Sequence, residues 1–129
     1  MMGSMDGPNR GELGEWATKI EQLGRHTDAL TRLGKEIKKR DAKVTVVIGK
    51  IEEEVEAGQA LARATGEAIK ERLSDRGLDN SDRARVEKLA AQFENAGTKF
   101  SDISHQVLEQ GRAANQAGGG DVRGGGGGG

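Results

Sequence analysis

Three apolar stripes with 3-4-3-4 spacing follow one another through this chain and leave it few ways to fold. The first comprises Leu13, Trp16, Ile20, Leu23, Thr27, Leu30, Gly34 and Ile37. The second is Val44, Ile48, Ile51, Val55, Gly58, Ala62, Thr65 and Ile69, and the third Val86, Leu89, Phe93, Ala96, Phe100, Ile103 and Val107. Residues three and four apart are neighbours on an α-helix, so each set lines one side of a helix. A one-sided helix must bury its apolar side, and three such helices in succession bury theirs against one another. The stripes predict an all-α fold: an antiparallel, up-down-up three-helix bundle with a disordered N-terminus and a Gly-rich C-terminal tail.

Composition agrees with a narrow bundle. Of 129 residues, 33% are hydrophobic and 32% charged, which suits helices that each bury a single seam better than a thick core. The formal net charge of -1 lacks the basic excess of a nucleic-acid binder, so no nucleic-acid partner is expected. Without cysteine there is neither a disulfide framework nor a thiolate metal site. The longest apolar run, Val46 to Ile48, falls far short of the roughly 20 residues that span a bilayer. The polar, glycine-containing N-terminus does not read as a signal peptide.

Punctuation residues set the expected boundaries: a flexible N-terminus over 1–11, a bundle over 12–116 and a Gly-rich flexible linker or tail over 117–129. Helix A is expected over about 12–38, opened by Asn9 and Glu12 as a capping box and carrying Glu15–Lys19, Glu21–Arg25 and Asp28–Arg32 as i,i+4 pairs. Its end falls between Gly34 and Asp41, with Asp41 capping helix B. Helix B is expected over about 41–75. Its first turns, Val44-Thr45-Val46-Val47-Ile48, read locally as strand, but the 3-4 register continues beyond them and no partner strand exists. Gly77 is expected in the left-handed C′ position of a Schellman motif with Leu78 as its apolar partner. Asp79-Asn80-Ser81-Asp82 then caps helix C, expected over about 81–115.

Little in the chain suggests chemistry. His26 and His105 lie on different helices with no carboxylate at metal-ligand spacing, and read as structural or surface histidines. Glu52, Glu53, Glu54 and Glu56 sit on a helix and not in a calcium loop, so they read as a solvated face. Trp16 fits its stripe and reads as core. No nucleophile elbow, phosphate loop or zinc motif occurs, and Gly118 to Gly120 lacks the lysine and hydroxyl of a phosphate loop. No catalytic, cofactor-binding or metal residue is assigned, no cofactor is expected, and enzyme activity is not expected. Lys35, Lys38, Lys39 and Arg40 form a weak basic surface beside a loop, suited to acidic headgroups or an acidic partner. Such short runs are ordinarily just solvated. Gly58, Ala62 and Thr65 put small residues in the second stripe, which permits either close helix approach or a shallow groove.

Several segments resemble one family. Gly58-Gln59-Ala60-Leu61-Ala62-Arg63-Ala64-Thr65 with Ile69-Lys70 is similar to the second helix of endosomal and vacuolar syntaxins. Arg85-Val86-Glu87-Lys88-Leu89-Ala90-Ala91-Gln92-Phe93 with Lys99-Phe100 resembles the third, in which a Lys-Leu, a Phe and a second Phe seven residues later recur. Leu30-Thr31-Arg32-Leu33-Gly34, with Asp41 beyond it, resembles the end of the first. The similarity covers roughly residues 12–114, the extent of the N-terminal Habc domain of a Qa-SNARE. Lys35 to Arg40 is longer than the family's usual first turn, the β-branched start of helix B is unusual, and neither a SNARE motif nor a membrane anchor is present in these 129 residues.

The resemblance implies a regulatory domain of a syntaxin-like t-SNARE in vesicle trafficking, on the cytoplasmic face of an endosomal or vacuolar membrane. It implies protein partners: its own SNARE helix, Sec1/Munc18-type proteins or tethering factors. The expected partner groove lies between helices B and C around Val55, Gly58, Ala62, Phe93, Gly97 and Phe100. The domain is expected to be monomeric and not to insert in a membrane. The alternative is a spectrin-like or secretion-related bundle that works only by assembly.

Overall fold

A computed structural model describes the backbone of residues 10–123 and the side chains of residues 11–117. Three helices account for nearly all of it, and there is no strand among the described residues: α1 (Arg10–Glu36), α2 (Val44–Leu73) and α3 (Asn80–Arg123). Each packs against both others. Glu12 meets Arg72 and His26 meets Glu54, so positions that climb along α1 face positions that fall along α2. Phe93 lies against Gly66 and Phe100 against Gly58, which gives the same opposed relation between α2 and α3.

The stripes are the core. Trp16, Leu23, Thr27, Leu30 and Gly34 are buried on α1, with Ile37 just past its end; Ile51, Val55, Gly58, Thr65 and Ile69 on α2; Val86, Phe100 and Val107 on α3. One cluster centres on Leu23, Leu30, Ile51, Val55, Phe100 and Val107. A second joins Trp16, Ile69, Leu78 and Val86, and half-buried Phe93 packs against both. The β-branched start of α2 is helical, and Val47, outside the expected stripe, is buried with Ile51. Packing of the apolar side against α1 and α3 outweighs the local strand preference.

The end of α1 at Glu36 falls between Gly34 and Asp41 as expected, and helix ends depart from the expected signals in three other places. Gly34 does not end α1: it is buried inside the helix, where a Cβ would stand 2.7 Å from Gln110 Oε1 and 3.1 Å from Val107 Cγ2. The glycine serves close approach of α3, and the chain leaves the helix at Ile37 through short i→i+3 bonds from Lys38 and Lys39. Asp41 does not cap α2. The N-cap is Lys43, which makes no side-chain cap bond. Gly77 does not take the left-handed C′ position. α2 stops at Leu73, and the Gly77 amide donates to Asp75 Oδ1 at 2.9 Å while Leu78 drops into the second cluster. Here an Asx turn supplies what a Schellman bond was expected to supply. Finally, α3 runs to Arg123, so residues 117–123 stand in the helix and not in a tail. Extending an existing helix requires no new nucleus, although each glycine costs about 1 kcal/mol against alanine. Residues 1–9 and 124–129, including Asn9 of the expected capping box, lie outside the described residues.

The cap of α3 forms as expected: Asp79 Oδ1 accepts from the Asp82 amide at 2.8 Å. Arg83 then reaches back across the turn. Its Nη1 donates to the Leu73 carbonyl at 2.9 Å, a carbonyl left open at the end of α2, and its Nη2 to the Asp75 carbonyl in the turn at 3.2 Å. Arg83→Ala should lower stability by about 1–2 kcal/mol, and Arg83→Lys should recover only part of it, since one ammonium replaces a two-nitrogen fork. Chemical denaturation of the two variants checks this.

Candidate functional site

The small residues of α2 divide into two groups once side chains are placed. Gly58 and Gly66 receive rings: a Cβ at 58 would overlap the Phe100 ring, and one at 66 would lie 3.2 Å from Cε2 and Cζ of Phe93. These two phenylalanines, seven residues apart on α3, lock it against α2. Ala62, between the two locks, stays half-buried.

Outside the locks runs a surface groove between α2 and α3. One section of about 450 Å³ is lined by Gln59, Ala62, Arg63 and Gly97, with Phe100, Ser104, His105 and Leu108 among the rest. Leu108 also borders the neighbouring sections. In one, Val55 lies with Glu52, Glu53 and Glu56, and in the other Ile48 and Ile51 lie with Gly111 and Arg112. The groove is thus continuous past Leu108, with an apolar and small-residue floor and charged walls. Gly97 has nothing within 4 Å of its Cβ direction, so the groove is open there.

Of the six expected groove residues, Ala62, Gly97 and Phe100 line one section and Val55 the next. Gly58 is covered by Phe100, and Phe93 packs on Gly66. Sequence spacing placed these side chains on the right helices but did not separate those that fill the interface from those that border it. Leu108 and Ser104, which the stripe did not include, are central. Ser104 Oγ is buried without a hydrogen-bond partner among the described residues, as is Thr65 Oγ1. By contrast, buried Thr27 donates to the Leu23 carbonyl at 3.0 Å.

The titratable groups are mostly structural. His26 Nδ1 lies 2.6 Å from Glu54 Oε1, a contact in which the nitrogen donates to the carboxylate and ties α1 to α2. Glu54 is half-buried, while Glu52, Glu53 and Glu56 are exposed. Glu12 takes Arg72 Nη2 on both oxygens at 2.9 and 3.0 Å. That bond raises the Arg72 guanidinium above its usual value against the opposing effect of burial. Of the expected i,i+4 pairs on α1, Glu15–Lys19 closes at 3.5 Å; Glu21–Arg25 and Asp28–Arg32 are not among the ion pairs of the described residues. His105 is exposed beside the groove. No group of three or more His, Asp or Glu side chains among the described residues is placed to hold a metal ion. No described helix is long and apolar enough to cross a membrane.

Lys35, Lys38, Lys39 and Arg40 are all exposed at the α1–α2 turn. Lys35 and Lys38 also border a cleft of about 150 Å³ between α1 and α3.

No protein family, curated protein or solved structure matches this chain.

Proposed function

We propose that this chain is the regulatory N-terminal domain of a syntaxin-like t-SNARE: an antiparallel, up-down-up bundle that receives a partner helix in its α2–α3 groove. The observation that carries the reading is the groove itself, open at Gly97 and floored by Ala62 and Leu108. An amphipathic helix needs such a row of small and apolar residues to lay its own apolar side down. The Phe100–Gly58 lock supports it further, because both residues lie in segments that resemble the syntaxin helices. In this reading the occupant is the protein's own SNARE helix, or a helix of a Sec1/Munc18-type or tethering partner. The work is done on the cytoplasmic face of an endosomal or vacuolar membrane, with no catalysis.

The test is an amide NMR spectrum of the chain before and after a SNARE-type helix is joined covalently to it. Signals of Gln59, Ala62, Gly97, Leu108 and Ser101, which also lines the groove, are expected to shift or broaden, while those of exposed Arg25 and Asp28 on α1 stay in place. An unchanged spectrum rejects the closed form. The assembly reading makes a different prediction, self-association through an exposed apolar seam. Val46 is the one exposed large hydrophobic residue among those described, which supports a monomer. Sedimentation at several concentrations separates the two.

A further inference from the structure

We infer that the α1–α2 end of the bundle is a peripheral contact site for an anionic lipid surface. Lys35, Lys38, Lys39, Arg40 and Lys43 fall within nine residues, and all five are exposed. None of them belongs to any ion pair among the described residues, although Glu36 and Asp41 lie in the same stretch. The opposite end of the bundle differs. There Arg72 is held by Glu12 and Asp75, Arg83 by two backbone carbonyls, and Arg85 by Asp82, while Arg76 is exposed and in no ion pair among the described residues. A dense run of five exposed cations outside any described ion pair therefore lies at one end of a molecule whose net charge is -1.

A second, independent observation lies at the same end. Val46, in the first turn of α2, is 52% exposed and is the one exposed large hydrophobic residue among those described. It stands three residues from Lys43, beside the basic turn. The same helix start has no acidic residue in its first turn and no side-chain cap, so its amide dipoles add to the positive end. Exposed cations around an exposed aliphatic side chain match the boundary between anionic headgroups and acyl chains. A nucleic-acid surface would use the cations but leave Val46 without a role. Nothing here requires a helix to span the bilayer.

The site is separate from the α2–α3 groove, and its test does not depend on what fills the groove. The full chain is floated with vesicles of phosphatidylcholine alone and of phosphatidylcholine mixed with phosphatidylserine. Binding is expected only to the second, with release at high salt. Each cation near such a surface raises partitioning about fivefold, so Lys38→Ala/Lys39→Ala/Arg40→Ala should lower it roughly a hundredfold. Val46→Ser should weaken vesicle binding several-fold without changing affinity for a duplex oligonucleotide. Circular dichroism melting of each variant confirms that the bundle is intact, since every substituted side chain is exposed. Absence of binding to phosphatidylserine vesicles overturns the proposal. So does binding that the triple variant leaves unchanged. Equal loss on vesicles and duplex with no effect of Val46→Ser also overturns it, in favour of a general polyanion surface.

Discussion

Gly58→Leu is expected to destabilise the bundle by about 3–5 kcal/mol, enough to leave it partly unfolded at physiological temperature. Gly58 is buried, and even a Cβ would overlap the ring of Phe100, itself only 4% exposed. A leucine therefore either expels that ring from the core or pushes α3 away from α2, and both lose packing along the seam. Gly58→Ala poses the same conflict in milder form. Alanine gains about 1 kcal/mol in helix propensity, yet a net loss of up to about 2 kcal/mol is expected because overpacking outweighs it. Gly49→Ala reverses the sign: its Cβ meets nothing within 4 Å, so a gain of about 0.5–1 kcal/mol is expected. Urea denaturation of the three variants measures the contrast. If Gly58→Ala stabilised the protein as Gly49→Ala does, the Phe100 lock would not exist.

Leu30→Ala is the second large effect. Leu30 is fully buried in the first cluster with Ile51, Val55 and Phe100. Removing its isobutyl group takes away the transfer energy of the lost carbons and leaves a cavity, at a combined cost of about 2–5 kcal/mol. For a bundle of this size that is a fall of roughly 10 °C or more in Tm. Leu61→Ala should cost less, because Leu61 is only half-buried at the edge of the same cluster. Thermal melts followed by circular dichroism give both values. Equal losses would mean that the cluster is not centred where the burial places it.

Much of this fold is legible in the sequence because helical periodicity and burial report the same geometry. Leu23, Leu30, Ile51, Phe100 and Val107 could be assigned to the interior from spacing alone. The helix ends were less legible for a physical reason. Gly34 and Gly77 each carry the local signal of a glycine near the end of an apolar stripe. Gly34 is held inside α1 by the approach of Gln110 and Val107, and Gly77 is turned by the Asp75 carboxylate. A neighbouring side chain decides what Gly77 does, but contacts with residues distant in the chain decide Gly34, and spacing does not encode such contacts. The same holds for His26 and Glu54, 28 residues apart, and for Glu12 and Arg72, 60 apart. No local pattern announces either pair; each follows from how α1 faces α2.

The groove shows the limit most clearly. Val55, Gly58, Ala62, Phe93, Gly97 and Phe100 belong together on α2 and α3, but their roles differ by which neighbour each meets. Gly58 meets a ring and Gly97 meets none. Ser104 and Leu108 fall beside the third stripe, at positions where a slight rotation of α3 decides between core and surface. The structure places Ser104 inside and Leu108 at the junction of the groove sections.

That difference between Gly58 and Gly97 supplies the most direct test of the proposed role. Calorimetric titration of a SNARE-type amphipathic helix into the wild-type chain and into Gly97→Leu isolates the groove, since a side chain at 97 enters open space and fills the path of the helix without disturbing the core. At least a tenfold loss of affinity is expected in Gly97→Leu, with a melting temperature equal to or slightly above that of the wild type. Equal affinity of the two proteins for the helix would contradict it.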